Sequence, residues 1–223
     1  MNFNNIEEAK LMIKKAKEIN AFLCKFQLYN DNIIKGSKDY EFLKSIMLDY
    51  NNAKELYKYG KEIKQTVFFT PMTLESVDWV DKIGCKFIKT RFSDRFNMEL
   101  IRKVADLVFY NKLTWFLSIN EDPLEYFDKL KKKVYWDKFE YRYPIFNALY
   151  CVPSYPATIE SYLCDELFEF GSVSDHTNNL RLFKIAQILD FNYFEKHVKL
   201  DNTTPLEDKW SISFSQLKEV LKP

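Results

Sequence analysis

Seven short apolar runs, each set off from the next by a helix-patterned stretch, constrain this chain more than any other feature. Runs at Phe22–Gln27, Val67–Phe69, Phe87–Lys89, Leu113–Ser118, Ala148–Cys151, Phe170–Ser174 and Phe191–His197 have the length and residue content of strands. Between them, apolar residues recur at helical spacing over Asn52–Lys64, Leu74–Lys82, Met98–Phe109, Pro123–Lys132, Thr158–Phe168 and Leu180–Leu189. A helix carrying Ile6, Ala9, Ile13 and Ala16 comes first, and one over Phe214–Leu221, capped by Ser211 or Ser213, comes last. Gly84 stands where a C-terminal helix cap is expected, and Val134–Phe146 is aromatic and less regular. Strand and helix in regular succession imply right-handed crossovers and a parallel sheet. Seven strands and eight helices, helix first, fit an α/β (β/α)8 TIM barrel that lacks its first strand, as one domain over residues 1–223. No Gly-rich loop follows any strand, which counts against a dinucleotide-binding fold.

Charge narrows the function classes. Lys and Arg number 33 against 32 acids, so the basic excess that nucleic-acid binding needs is missing. The N-terminus reads as neither a secretory signal nor a membrane anchor, and a cytoplasmic location is expected. Cys24, Cys85, Cys151 and Cys164 are far apart and form no CxxC pair, so reduced thiols are expected rather than a zinc ribbon or a disulfide framework.

Alternation along the strands puts residues two apart on one face. Lys25 and Gln27 then share a face, as do Lys89 and Arg91; Ser172, Ser174 and His176 align, as do Tyr193, Glu195 and His197. The two histidines are the only ones in the chain, and each closes an apolar run, so both fall at the C-terminal strand ends where barrel active sites sit. Imidazole is the commonest metal ligand, and a pair at neighbouring strand ends suits one divalent ion. A lysine inside an apolar strand needs an anionic partner, which points to a phosphate or carboxylate ligand. Taken singly, each residue also has a plain structural reading: a rim ion pair for the lysines, a satisfied core group for the histidines, helix caps for the serines.

Several short motifs occur in a telling order. Glu8–Lys17 followed by Cys24-Lys25-Phe26-Gln27 is similar to a first helix and "KFQ" strand, and Phe69–Asp78 to a "TPFDxxSVD" turn and helix. Phe87-Ile88-Lys89 resembles "YKI", Cys151–Pro156 resembles "CxxxYP", and Ser174–Thr177 and Glu195–His197 match "SDHT" and "EKH". Together these resemble the sialic acid synthase (N-acetylneuraminate synthase) family, which condenses phosphoenolpyruvate with N-acetylmannosamine or a related sugar. The resemblance implies that His176 and His197 bind a divalent metal, manganese in the usual description, with magnesium or cobalt as alternatives. It places Lys25, Thr70, Lys89, Ser118 and Ser174 against the phosphate or carboxylate of phosphoenolpyruvate, with Lys25 and Lys89 carrying the chemistry. Gln27, Tyr155 and Asp208 fall near the sugar.

There are departures from the family pattern. Asn2–Asn5 stands where the family reads "NHNG", with Phe3 and Asn5 replacing His and Gly. Phe92 or Ser93 stands in place of a family serine, Pro153 in place of Asn or Ser, and Ser118-Ile119-Asn120 lacks the glycine of "STG". Neither the first strand with its acidic residue nor the C-terminal antifreeze-like domain is seen in this sequence. The expected edges, on the Phe22–Gln27 and Phe191–His197 strands, would invite a homodimer or another chain that completes the barrel. The leading expectation is an enzyme, a transferase making a sialic-acid-like nonulosonic acid from phosphoenolpyruvate and an N-acylated amino-sugar aldehyde. A catalytically degenerate ligand- or partner-binding relative is the alternative.

Overall fold

The computed structural model describes residues 3–134, 146–201, 203–204 and 206–221. Most of the aromatic stretch expected over Val134–Phe146 lies outside them. In chain order the helices and strands begin with α1 (Ile6–Glu18), β1 (Leu23–Leu28), α2 (Asp31–Ile34), α3 (Tyr40–Ser45), α4 (Tyr50–Glu62), β2 (Thr66–Pro71) and α5 (Leu74–Ile83). Next come β3 (Phe87–Thr90), α6 (Met98–Asn111), β4 (Thr114–Ile119), α7 (Pro123–Val134), β5 (Phe146–Cys151), α8 (Asp165–Phe170) and β6 (Ser172–Asp175). The chain continues with α9 (Arg181–Ile188), β7 (Tyr193–Lys196), β8 (Val198–Lys199), β9 (Ile212–Ser213) and α10 (Phe214–Val220). These form two compact units, one of Met1–Cys85 with His197–Pro223, the other of Lys86–Lys196.

In the first unit β1 and β2 pair in parallel, with Lys25 opposite Phe68 and Gln27 opposite Thr70. Cys24, Phe26 and Leu28 are buried, alternating with the half-buried Leu23, Lys25 and Gln27. Ala9, Met12, Ile13 and Ala16 form the buried stripe of α1, and Ala53, Leu56 and Gly60 that of α4, which lies against α1 and β2. The close approach of α4 to β2 depends on Gly60. A Cβ there would stand 2.5 Å from Val67 Cγ2 and 2.7 Å from the Gln65 carbonyl oxygen. Burial pushes the Cys24 and Cys85 thiols up to about 12, which makes both inert at neutral pH.

In the second unit β3 to β7 pair in parallel, each with the next in sequence. The register stacks two kinds of side chain on the two sheet faces. Ile88, Trp115, Leu117 and Val173 are fully buried on one face, where the Trp115 indole also donates to Thr90 Oγ1 at 3.0 Å. On the other face the rings of Phe87, Phe116 and Tyr193 pack together, with centroids 6.3 and 4.9 Å apart. This aromatic layer fills the space beneath the polar strand ends.

Local chemistry sets the element ends. Thr73 and Ser76 form a capping box at the start of α5, and Gly84, with φ of 77°, ends it in the left-handed conformation. Ser213 rather than Ser211 caps the last helix, in a box with Gln216. The expected helix over Thr158–Phe168 is instead a 3-10 turn at Glu160–Tyr162, an extended Cys164, and then α8. The break lets Tyr162 turn fully inward. Arg91 does not continue β3 either: it starts a 3-10 turn and pairs with Asp94. The helices α2 and α3 and the parallel pair β8–β9 were not anticipated from the sequence.

Replacing Gly60 with alanine should separate α4 from β2, at a cost of about 1–3 kcal/mol from overpacking. Urea denaturation of Gly60→Ala is expected to show a lower midpoint at unchanged slope.

Candidate functional site

Polar side chains gather at the C-terminal strand ends of the second unit. The Lys89 side chain, only 3% exposed on β3, pairs through Nζ with the Glu195 carboxylate of β7 and lies 3.4 Å from Ser174 Oγ of β6. Ser174 and Glu195 are register partners, and Cys151 of β5 faces Ser174 from the other side. Ser118 of β4 is 1% exposed, and its hydroxyl has no hydrogen-bond partner among the described residues. A buried hydroxyl in that condition forgoes a bond worth about 1 kcal/mol or more, which an incoming oxyanion could restore.

His176 follows β6 directly and is buried. Its Nδ1 lies 3.1 Å from the Val152 carbonyl oxygen. A carbonyl only accepts, so Nδ1 carries the proton and Nε2 keeps its lone pair, the arrangement a metal ligand needs. The Tyr155 ring, at 48% exposure, lies against the imidazole with centroids 4.3 Å apart, just before a cis Tyr155–Pro156 bond.

Two further groups hold this strand end, and sequence reasoning missed both. The Tyr162 phenol donates to the Ser174 carbonyl at 2.8 Å and accepts from the His176 amide at 3.1 Å, and burial pushes its pKa up. Asp175 and Lys196 form a buried ion pair, with Nζ to Oδ2 at 2.9 Å. Burial is the largest influence on both, raising the Asp175 carboxyl and lowering the Lys196 ammonium, while their mutual attraction opposes each shift. Asp175 also accepts from the Thr177 amide at 2.6 Å, and Lys196 donates to the Thr177 carbonyl. The loop that carries His176 is thereby fixed.

The first unit holds the remaining residues of interest. Thr70 of β2 is 1% exposed and its hydroxyl has no hydrogen-bond partner among the described residues, while Lys25 and Gln27 of β1 are half-buried. His197 Nδ1 lies 2.7 Å from Glu207 Oε2. A carboxylate behind an imidazole is the usual outer support of a metal-binding histidine. Burial pushes the Glu207 carboxyl up, but the charge and hydrogen bond of His197 outweigh it and hold the group down at about 2. Asp208 forms an ion pair with Lys199, so its carboxylate is already engaged. Among the described residues no group of three or more His, Cys, Asp or Glu side chains could hold a metal ion. The case for a metal therefore rests on the donor chemistry of the two imidazoles.

The NeuB family model matches residues 12–223, nearly the whole chain. The chain belongs to the NeuB family. Among curated relatives it is 28% identical over 211 residues to an uncharacterised protein of Methanocaldococcus jannaschii, covering 90% of this chain and 60% of that one. It is 26% identical over 189 residues to the N,N'-diacetyllegionaminic acid synthase of Campylobacter jejuni, covering 80% and 54%. The chain thus spans a little over half the length of these NeuB-related proteins.

Solved structures share the fold. The N-acetylneuraminic acid (sialic acid) synthetase of Leptospira borgpetersenii, in complex with citrate, matches with a TM-score of 0.80 at 21% identity, covering 98% of this chain and 77% of that one. A truncated 3-deoxy-D-arabino-heptulosonate 7-phosphate synthase of Thermotoga maritima matches with 0.67 at 11% identity, covering 99% and 81%. This NeuB-family chain accordingly has a TIM-barrel-like α/β fold with seven parallel strands, as its sequence suggested.

Removing one partner of a buried ion pair leaves the other uncompensated, at about 3–5 kcal/mol. Asp175→Asn should therefore lower the denaturation midpoint strongly. The double variant Asp175→Leu with Lys196→Met should recover much of that loss in the same measurement.

Proposed function

We propose that this chain is a phosphoenolpyruvate-dependent synthase, condensing phosphoenolpyruvate with an N-acylated amino-sugar aldehyde to give a sialic-acid-like nonulosonic acid. The observation that carries the reading is the buried Lys89 ammonium beside Ser174, together with a buried Ser118 hydroxyl that has no hydrogen-bond partner among the described residues, in a NeuB-family chain. Lys89, Ser118 and Ser174 suit the phosphate and carboxylate of the donor, and the family resemblance gives Lys25 and Thr70 the same role. Glu195 fixes the Lys89 side chain and keeps its charge compensated when no donor is bound. Gln27, Tyr155 and Asp208 are the sugar-side residues in this reading. Asp208 must first release Lys199.

In the reaction the enol carbon of phosphoenolpyruvate bonds to the aldehyde carbon, water adds at the carbon that bears the phosphate, and inorganic phosphate departs. The ammonium and hydroxyl groups stabilise the charge that gathers on the donor's oxygens as this happens. His176 and His197 would hold a divalent metal through Nε2, each kept in the right tautomer by Val152 and Glu207 respectively. Bound there, the metal supplies Lewis-acid polarisation of the aldehyde oxygen. The chain contains no helix, among the described residues, that is long and apolar enough to cross a membrane, and its charge balance gives a nucleic acid no footing.

Phosphate release from phosphoenolpyruvate, measured with manganese and a panel of amino-sugar aldehydes, tests the proposal. Acceptor-dependent release should fall by at least about a hundredfold in His176→Ala and Lys89→Ala. Phosphoenolpyruvate binding with no release under any acceptor would indicate the degenerate ligand-binding relative instead, and the engagement of Asp208 by Lys199 is the observation on that side.

A further inference from the structure

The segment between β5 and α8 holds His176 from several sides. The Val152 carbonyl meets the imidazole Nδ1 at 3.1 Å, and the Tyr155 ring lies against the imidazole. The Ala157 amide donates to the His176 carbonyl at 3.0 Å, and the His176 amide donates to the Tyr162 hydroxyl at 3.1 Å. The last of these groups also reaches the donor site. The same phenol oxygen donates to the Ser174 carbonyl at 2.8 Å, and Ser174 Oγ lies 3.4 Å from the Lys89 ammonium.

One oxygen atom thus joins the residue assigned to the anionic donor and the residue assigned to the metal. A hydroxyl has one proton and two lone pairs, so it donates to one backbone group while accepting from another. Both bond directions are fixed here, because a carbonyl only accepts and an amide only donates. Burial pushes the Tyr162 phenol up, so its proton stays in place at neutral pH. Asp175, the residue between, is held by Lys196 and by the Thr177 amide. Residues 174–176 are therefore tied together, with the phenol as their shared anchor.

That anchor is itself well held. Tyr162 is fully buried in a core cluster with Tyr150, Leu167, Val173 and Leu182, and its ring centroid lies 6.2 Å from that of Tyr150. Its backbone is set by the 3-10 turn over Glu160–Tyr162, with the Tyr162 amide on the Ile159 carbonyl at 3.0 Å. A phenylalanine would serve the packing; the hydroxyl adds the two bonds to the strand end.

We propose that Tyr162 is a positioning residue that links the donor and metal sites, so that filling either one sets the strand end for the other. The assignment rests on the synthase reading, which gives Ser174 to phosphoenolpyruvate and His176 to the metal. Such linkage is reciprocal: the factor by which each ligand tightens the other is the same.

Calorimetry on the whole chain tests this, titrating phosphoenolpyruvate with and without manganese, and manganese with and without phosphoenolpyruvate. In the wild-type chain each ligand should tighten the other by about tenfold. Tyr162→Phe should bring that factor to about threefold or less. Leu182→Val thins the same core cluster but removes no hydrogen bond, and should leave the factor at its wild-type value. A merely structural tyrosine would give both variants the same factor. Should Tyr162→Phe lose its circular dichroism signal, Tyr162→Met takes its place with the same expected fall. A wild-type factor in the Tyr162 variant would overturn the linkage, as would independent binding of the two ligands in the wild-type chain. Phosphate release is followed in parallel. Linkage lost in Tyr162→Phe, with no turnover by the wild-type chain, would keep the tyrosine's role and remove the synthase reading; turnover with the linkage untouched by the substitution would do the reverse.

Discussion

A lysine ammonium kept almost out of water is the constraint on which the second unit is arranged. Lys89 lies on the inner face of β3, above a layer of aromatic rings, with 3% of its side chain exposed. A charge in that position is tolerated only with a partner. Glu195 and Ser174 supply one from β7 and β6, and parallel register places both at the same level. The rings of Phe87, Phe116 and Tyr193 pack together on the same face of the sheet as Lys89.

The same logic explains why the SDHT and EKH segments carry so many charged residues. Glu195 belongs to Lys89, while the adjacent Lys196 belongs to Asp175. Alternation of side chains along β7 sends neighbouring residues to different partners. Asp175, Lys196 and Thr177 together set the loop after β6, and Tyr162 bonds the backbone on both sides of Asp175. The loop that carries His176 is consequently held by Asp175, Lys196, Thr177 and Tyr162. In the first unit the equivalent support of His197 is simpler, a single carboxylate at Glu207.

Much of this was legible in the sequence, and the remainder was illegible for identifiable reasons. The seven strands and most helices follow from periodicity, which is local, and their observed ends lie within a residue or two of the expected ones for most elements. The strand-end positions of Lys89, Ser118 and Ser174 follow from the same pattern. The pairing of Lys89 with Glu195 spans 106 residues and depends on a register that no local pattern encodes. Tyr162 was hidden inside an apparent helix, because propensity alone cannot tell that its phenol is needed beneath β6. Short helices such as α3 have too few turns to leave a periodic signal. That is why the wall that α3 adds to a pocket at the end of β1 emerged only from the structure.

The central claim is that the buried Lys89 ammonium is there for an anionic donor, with Glu195 as its resident counter-charge. Calorimetric titration of phosphoenolpyruvate into the wild-type chain, Lys89→Met and Glu195→Gln tests it without requiring turnover. The account predicts that Lys89→Met loses binding by about a hundredfold or more, since a charge-assisted contact in a dry site disappears, while Glu195→Gln binds at least as tightly as the wild type. Equal affinity in the wild-type chain and Lys89→Met would contradict it, and would reduce the lysine to one half of a structural ion pair.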